Sequence, residues 1–138
     1  MPVRTIIIAI LAGLLASGPA FAQTTGIQGV WVTHTGNAEV QIARCGTAFC
    51  GTVTKVMANR AMASASESKA PPLKVGQKII SDIVPDQDHW RGHIYNREDG
   101  STYDCLLSVD RGGAALKLRV YRLFPIFGKD LVWPRAAD

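Results

Sequence analysis

The sequence predicts an all-β protein, a small closed antiparallel barrel of about eight strands. Apolar and polar residues alternate along most of the chain after residue 22, and Gly, Asn and Asp stand at the breaks. This pattern is typical of half-buried antiparallel strands. The segments are bracketed by Gly29 and Trp31 near the start and by Trp133 and Arg135 at the end. A sheet can bury its first and last strands against each other only by closing, so these motifs in the first and last strands predict a barrel.

The first 22 residues are typical of a secretory signal peptide cleaved after Ala22. Arg4 is their only charged residue, an apolar run covers 6–15, and Ala20-Phe21-Ala22 suits signal peptidase. The run is too short to span a bilayer core of about 30 Å comfortably. We therefore expect a periplasmic or secreted protein that is not an integral membrane protein after cleavage.

Cleavage of 22 residues from 138 leaves 116, which predicts one β-barrel domain over 23–138. The leader carries one basic residue and no acid, so the formal charge falls from +4 to +3. This mild excess, together with export, argues against nucleic acid as a partner.

The strands are separated by turns whose residues tolerate a positive φ: Gly36-Asn37, Asp99-Gly100 and Arg111-Gly112-Gly113. The predicted strands are 29–35, 38–44, 51–56, 77–83, 89–96, 102–109, 115–122 and 129–135.

One long excursion between the third and fourth strands departs from the alternation. Segment 57–74 is rich in Ala, Ser and Met and contains Pro71-Pro72 near its end. By propensity, 58–69 predicts a short helix that Pro71 would stop and that would plug one barrel end; a disordered loop is the alternative.

The motifs in the first and last strands predict a specific packing where these two strands meet. Residues two apart in a strand share a face, so Gly29 and Trp31 point one way, as do Trp133 and Arg135. Gly29 would allow close approach beneath the Trp31 ring, and Arg135 would cover the ring, for about 0.5–2 kcal/mol. The alternative is that Trp31 is an ordinary core residue and Arg135 a solvated charge.

Three cysteines fall into two groups. Cys45 and Cys50 flank a loop that brings two antiparallel strand ends together, which predicts a hairpin disulfide that stabilises by about 2 kcal/mol. A structural zinc would need four ligands, which this spacing does not supply. Cys105 shares the parity of apolar neighbours and is expected to be a buried, inert thiol rather than a reactive one.

The sequence contains no recognisable catalytic or metal-binding motif. His89 and His93 are four apart, about 13 Å along a strand, which is too far for one metal ion. Glu98 and Asp99 fall in a predicted turn, where acids are ordinary. There is no Gly-x-Ser-x-Gly, His-Glu-x-x-His or phosphate-binding loop. We therefore expect no enzyme activity, metal or cofactor.

Several spaced motifs together resemble a family of uncharacterised bacterial exported proteins, a domain of unknown function described as lipocalin-like. The likeness covers 27–135. It rests on Gly29-Val30-Trp31, Cys45 with Cys50-Gly51, Trp90-Arg91-Gly92-His93-Ile94-Tyr95, Asp99-Gly100-Ser101-Thr102-Tyr103 and Trp133-Pro134-Arg135.

The resemblance implies a lipocalin-like barrel, in which the Gly-x-Trp opening and a late Arg mark the closed end. It implies no catalytic residue. The chain departs from the family pattern in segment 57–74, where an Asp-x-x-Asn-Pro stretch is usual, and at Val120, Leu123 and Pro134.

The parity of the strands predicts an apolar inner face. A barrel of eight strands either fills its interior with side chains or holds one small ligand, and the short mature chain favours filling. The inner face comprises Trp31, Val40, Ile42, Val53, Trp90, Ile94, Tyr103, Leu107, Leu116, Leu118 and Trp133.

The run 123–127, Leu-Phe-Pro-Ile-Phe, is unusually apolar for a connection. We expect it to fold over the barrel mouth as a cap; the alternative is an exposed patch that contacts a membrane or a partner. Nearby basic residues suit an acidic head group, or form an ordinary solvated face: Lys117, Arg119, Arg122 and Lys129. The candidate ligand-binding residues are Tyr103, Arg119, Phe124 and Phe127.

Two functions remain open. The first is binding of a small apolar or lipid-like ligand in the cell envelope. The second is a solid-core module that engages an envelope protein or polymer through its loops.

Overall fold

A computed structural model describes Gly13 and residues 26–64 and 66–137, so the rest of the predicted leader lies outside the described residues. The described chain forms eight β-strands and two short 3-10 turns, which confirms the all-β prediction. The strands are β1 (Gly29–Val32), β2 (Ala38–Cys45), β3 (Ala48–Val56), β4 (Lys78–Asp86), β5 (His89–Asn96), β6 (Ser101–Asp110), β7 (Ala115–Tyr121) and β8 (Lys129–Pro134). The 3-10 turns are Arg111–Gly113 and Pro125–Phe127.

Each strand pairs antiparallel with the next in a single sheet ordered β1 to β8. The two ends of the sheet meet through a bridge between Trp31 and Arg135. The Ala136 N–H also donates to the Val30 carbonyl at 2.9 Å. The sheet is therefore a nearly closed barrel, as the bracketing motifs predict.

Most strand boundaries lie within one residue of the prediction, and three differ by three residues: the end of β1, the start of β3 and the end of β4, which continues to Asp86. β3 starts at Ala48 because Cys45 pairs directly with it, leaving a two-residue turn in which Gly46 has a φ of +72°. β1 ends at Val32 because the Gly36 N–H donates to the Thr33 carbonyl at 2.8 Å, which starts the turn into β2 early.

The core fills one part of the barrel interior. Nine of the eleven predicted inner-face residues are buried, and Trp90 and Tyr103 pack half-buried against them. The alternation fails in β4, where Ile79, Ile80 and Ile83 are all buried. A register irregularity and a φ of +53° at Asp82 re-aim this strand, so a strict period of two does not apply.

Residues 57–77 connect β3 to β4 without a helix in their described part, so the prediction of a short helix over 58–69 is wrong. Neighbouring turns bind the backbone of the connection instead. The Asn37 side chain donates to the Arg60 carbonyl at 2.9 Å and accepts from the Arg60 N–H at 2.7 Å. Arg97 donates to the carbonyls of Arg60 at 3.0 Å and Pro71 at 3.1 Å. These bonds satisfy backbone groups that a helix would otherwise pair internally.

Among the described residues, no helix has the length and apolar character needed to cross a membrane.

Candidate functional site

A cavity of about 760 Å³ opens at the end of the barrel where β1 finishes and β8 begins. Its inner wall is apolar, and its mouth carries polar and charged side chains. The apolar wall includes Ile79, Ile94, Val120, Leu131 and Trp133.

Strand parity explains why these side chains converge. Leu131 and Trp133 lie two apart on the inner face of β8, and both are buried. Val120 continues the inward row of β7 that begins with the buried Leu116 and Leu118. The row reaches the mouth where the strands end, so Val120 borders open space while Leu116 and Leu118 are packed in the core.

The connection between β3 and β4 supplies one side of the cavity. Met62 and Leu73 line it, and both are half-buried. The Met62 N–H donates to the Glu98 carboxylate at 3.1 Å, and this carboxylate also accepts from the Ser68 hydroxyl at 3.2 Å. The connection therefore lies over the mouth as a fixed wall that Glu98 and Arg97 hold in place.

The charged side chains at the mouth differ in whether they are bonded to other parts of the protein. The guanidinium of Arg97 and the carboxylate of Glu98 are both engaged with the β3–β4 connection. In contrast, Arg122 and Lys129 line the cavity and have no carboxylate within ion-pair distance among the described residues. The mouth therefore presents two available positive charges.

Arg122 is held by an aromatic neighbour. Its guanidinium lies 4.5 Å from the centre of the Tyr103 ring and donates to the Tyr103 hydroxyl at 3.0 Å. That hydroxyl in turn donates to the Asp99 carboxylate, a bond that lowers the pKa of Asp99 together with the Ser101 N–H. The contacts with Tyr103 raise the pKa of Arg122. The arginine is thus a fixed cation at the mouth.

His34 also lines the cavity mouth. Desolvation, followed by the positive charge of Lys129, lowers its pKa, and Glu98 acts weakly in the opposite direction. The imidazole is therefore neutral at neutral pH and adds no charge to the mouth.

The structure brings together two of the four candidate ligand-binding residues. Tyr103 and Phe127 line the cavity, whereas Arg119 and Phe124 do not. Arg119 occupies the outward parity of β7, where it forms an ion pair with Asp130 at 3.1 Å and donates to the Pro125 carbonyl at 2.8 Å. Arg119 instead holds the connection between β7 and β8.

The apolar connection 123–127 does not pack over the mouth as a cap. The side chains of Leu123, Phe124, Ile126 and Phe127 are 61–83% exposed, although Leu123 and Phe127 border the cavity at its rim. The connection is therefore an exposed patch rather than a cap.

Several cavity residues escape sequence reasoning because they lie in connections. Arg97 lines the cavity while its side chain donates to the Ala70 carbonyl at 3.4 Å, and the Met62 N–H donates to Glu98 at 3.1 Å. Leu73 packs against the core from the connection. No local pattern encodes these non-local contacts. Ile79 is missed because β4 breaks the alternation.

The closure residues lie away from the mouth, with one exception. Arg135 stacks 4.1 Å from the centre of the Trp31 ring and donates to the Gly113 carbonyl at 2.7 Å. The Trp31 indole N–H donates to the Ile27 carbonyl at 2.9 Å. Trp133 differs, because it also forms part of the cavity wall.

The predicted disulfide between Cys45 and Cys50 is confirmed. Cys105 is fully buried, and desolvation, assisted by the charge of Asp104, raises the pKa of its thiol to about 12. Among residues 26–64 and 66–137, no cluster of three or more His, Cys, Asp or Glu side chains is arranged to hold a metal ion.

No curated protein and no solved structure matches the chain significantly. A family model described as "uncharacterized protein conserved in bacteria" matches residues 29–135, from the first glycine of β1 to the arginine that stacks on Trp31. The match covers most of the 138 residues and both bracketing motifs. The chain therefore belongs to this family of uncharacterised bacterial proteins, DUF2147.

Proposed function

We propose that the protein binds a small amphipathic ligand, with its apolar part in the barrel cavity and an acidic head group at the mouth. The observation that carries this proposal is the apolar cavity of about 760 Å³. Its volume falls within the range of roughly 300–1,000 Å³ typical of small-molecule sites. A barrel with a filled interior would leave no such space, so the cavity favours ligand binding over the solid-core alternative.

The cavity wall supports an apolar ligand body. Leu73, Ile79, Ile94, Val120 and Leu131 offer hydrocarbon surface and no polar group. Transfer of a hydrocarbon chain from water to such a wall is favourable by about 0.8 kcal/mol for each buried methylene. An alkyl chain therefore fits this site better than a sugar or a nucleotide.

The cations at the mouth support an acidic head group. Arg122 and Lys129 have no carboxylate partner in the described part of the chain, and Arg122 is oriented by the Tyr103 ring. A ligand carboxylate or phosphate at the mouth would accept charge-assisted hydrogen bonds from either side chain. Fatty-acid-like molecules combine this head group with an alkyl chain.

The cell envelope is the compartment we propose for this binding. The leader-like segment 1–22 and the disulfide between Cys45 and Cys50 support export to an oxidising compartment. In the envelope, a carrier of this kind would shield a poorly soluble molecule from water. We propose no catalytic step.

Native mass spectrometry of the mildly purified exported protein tests the proposal. We expect a mass increment equal to that of an acidic lipid, released by organic solvent and identified by fragmentation. The double variant Arg122→Gln with Lys129→Gln should retain less of this molecule. Lys55→Gln is the matched control, because Lys55 is an exposed cation on β3 outside the cavity. Bare protein in every preparation, with no uptake of added fatty acid, would overturn the proposal.

A further inference from the structure

The connection between β7 and β8 presents an apolar tip to solvent beside the cavity mouth. We name it the apolar loop and define it as residues 123–127. Its four large side chains are 61–83% exposed, far above the exposure of the core residues. Contiguous exposed apolar side chains of this size mark an interaction surface more often than chance.

The apolar loop is structured, although its side chains are not buried. Pro125–Phe127 forms a 3-10 turn in which the Gly128 N–H donates to the Pro125 carbonyl at 3.0 Å. Arg119 donates to the carbonyls of Pro125 at 2.8 Å and Ile126 at 3.2 Å. Asp130 pairs with Arg119 at 3.1 Å and fixes this clamp. The loop is therefore held open in a defined shape, so its ordering adds little entropic cost to docking.

The charges around the loop indicate what it contacts. Arg122 precedes it and Lys129 follows it, and neither has a carboxylate within ion-pair distance among the described residues. Asp130, the nearest acid along the chain, is already shared by Arg119 and Lys117, and Asp99 is connected to Arg122 through the Tyr103 hydroxyl rather than by a direct ion pair. Apolar side chains flanked by unpaired cations are complementary to an anionic lipid surface, where the side chains enter the acyl boundary and the cations meet head groups.

We infer that the apolar loop docks the barrel on an anionic membrane surface, with Phe124 and Ile126 inserted and Arg122 and Lys129 at the head groups. Leu123 and Phe127 border the cavity, so a docked barrel would bring its mouth to the bilayer. This docking surface goes beyond ligand binding and stands whether or not the cavity holds a ligand.

The inference is tested by vesicle flotation with residues 23–138, which contain all eight strands and omit the apolar leader-like segment. One set of vesicles is phosphatidylcholine alone and the other contains phosphatidylglycerol. We expect the barrel to float with the anionic vesicles and to be released by high salt. The double variant Phe124→Ser with Ile126→Ser should lower the partition coefficient for the anionic vesicles at least about tenfold.

The chosen residues separate this experiment from ligand binding, because neither Phe124 nor Ile126 lines the cavity. Val75→Ser is the matched control, since Val75 is also an exposed apolar residue in a connection. Near-UV circular dichroism checks that each variant is folded.

Three results would overturn the inference. The first is no flotation with anionic vesicles, and the second is equal flotation of the double variant and the control. The third is a concentration-dependent dimer in analytical ultracentrifugation that the double variant abolishes, which would make the loop an interface between two copies of the chain.

Discussion

The guanidinium of Arg135 lies 4.1 Å from the centre of the Trp31 ring, at the seam where the last strand meets the first. The same guanidinium donates to the Gly113 carbonyl at 2.7 Å and the Gln28 carbonyl at 3.2 Å. It also occupies the space beside Gly29 where any other residue would place a Cβ atom. One side chain thus connects β1, β8 and the turn before β7.

Replacement of Gly29 by Ala should destabilise the barrel by about 2–3 kcal/mol. Gly29 has a φ of +131°, which L-residues rarely adopt, and the added methyl would displace Arg135 from its place over Trp31. Gly46→Ala is the control, because Gly46 also has a positive φ, +72°, but nothing lies near its missing Cβ. The measurement is urea unfolding of both variants. An equal decrease in the free energy of unfolding of both variants would show that backbone strain alone matters and that the position of Arg135 over Trp31 does not.

Replacement of Asn37 by Ala should free the connection between β3 and β4 and cost about 2 kcal/mol. The Asn37 side chain is buried and makes two bonds to the Arg60 backbone, which would lose both partners. Hydrogen exchange should rise in 57–77 and stay unchanged in β6 and β7. Thr54→Ala removes a single exposed bond, to the Glu39 carbonyl, and should change stability by less than about 0.5 kcal/mol. Unaltered exchange in the connection of Asn37→Ala would contradict the anchoring role.

The Cys105 thiol should resist alkylation in the native protein and react fully in denaturant. Burial raises its pKa from 9.0 to about 12, so almost no thiolate is present at pH 8–9, and the side chain has no exposed surface. Iodoacetamide labelling followed by mass spectrometry measures this. Rapid native labelling at pH 8 would place Cys105 at the surface and contradict the core packing.

The same shift predicts how stability depends on alkaline pH. The folded state keeps the thiol protonated, whereas the unfolded state ionises near pH 9. The contribution of the buried thiol to the free energy of unfolding is therefore fully present below pH 9 and is lost as the pH rises toward about 12. Cys105→Ala should unfold with a weaker dependence on pH in that window. An identical dependence in both proteins would show that other groups dominate.

Most of the fold could be predicted from the sequence because buried and exposed residues alternate along half-buried antiparallel strands. The inward rows of Val40 with Ile42 and of Leu116 with Leu118 follow that rule, and the disulfide follows from the length of one hairpin. The rule fails twice in β4. A register shift around Asp82, which has a positive φ, places Ile80 and Ile83 on the same face. A second shift, where Gly51 pairs with Ile80 and Thr52 with Lys78, leaves Ile79 as an extra residue that is also buried. Local composition carries no signal for such an irregularity.

The candidate site was less predictable because half of it lies outside the strands. Tyr103 could be placed by parity, but Arg119 has the wrong parity for the cavity and serves the apolar loop instead. Arg97 reaches the site by binding carbonyls 26 and 37 residues away along the chain, contacts that only the folded barrel creates. Non-local hydrogen bonds of this kind leave no periodic pattern in a sequence.

The most direct measurement of the central claim is a calorimetric titration of residues 23–138 with dodecanoate, comparing the native chain with Val120→Trp. Val120 lines the cavity, so the larger side chain should fill it and weaken binding at least about tenfold. Val109→Trp is the control, because Val109 also packs half-buried against the core but does not line the cavity. We predict binding by the native chain and the control and its loss in Val120→Trp. Equal affinity in all three folded proteins, or no binding by the native chain, would contradict a ligand site inside the barrel.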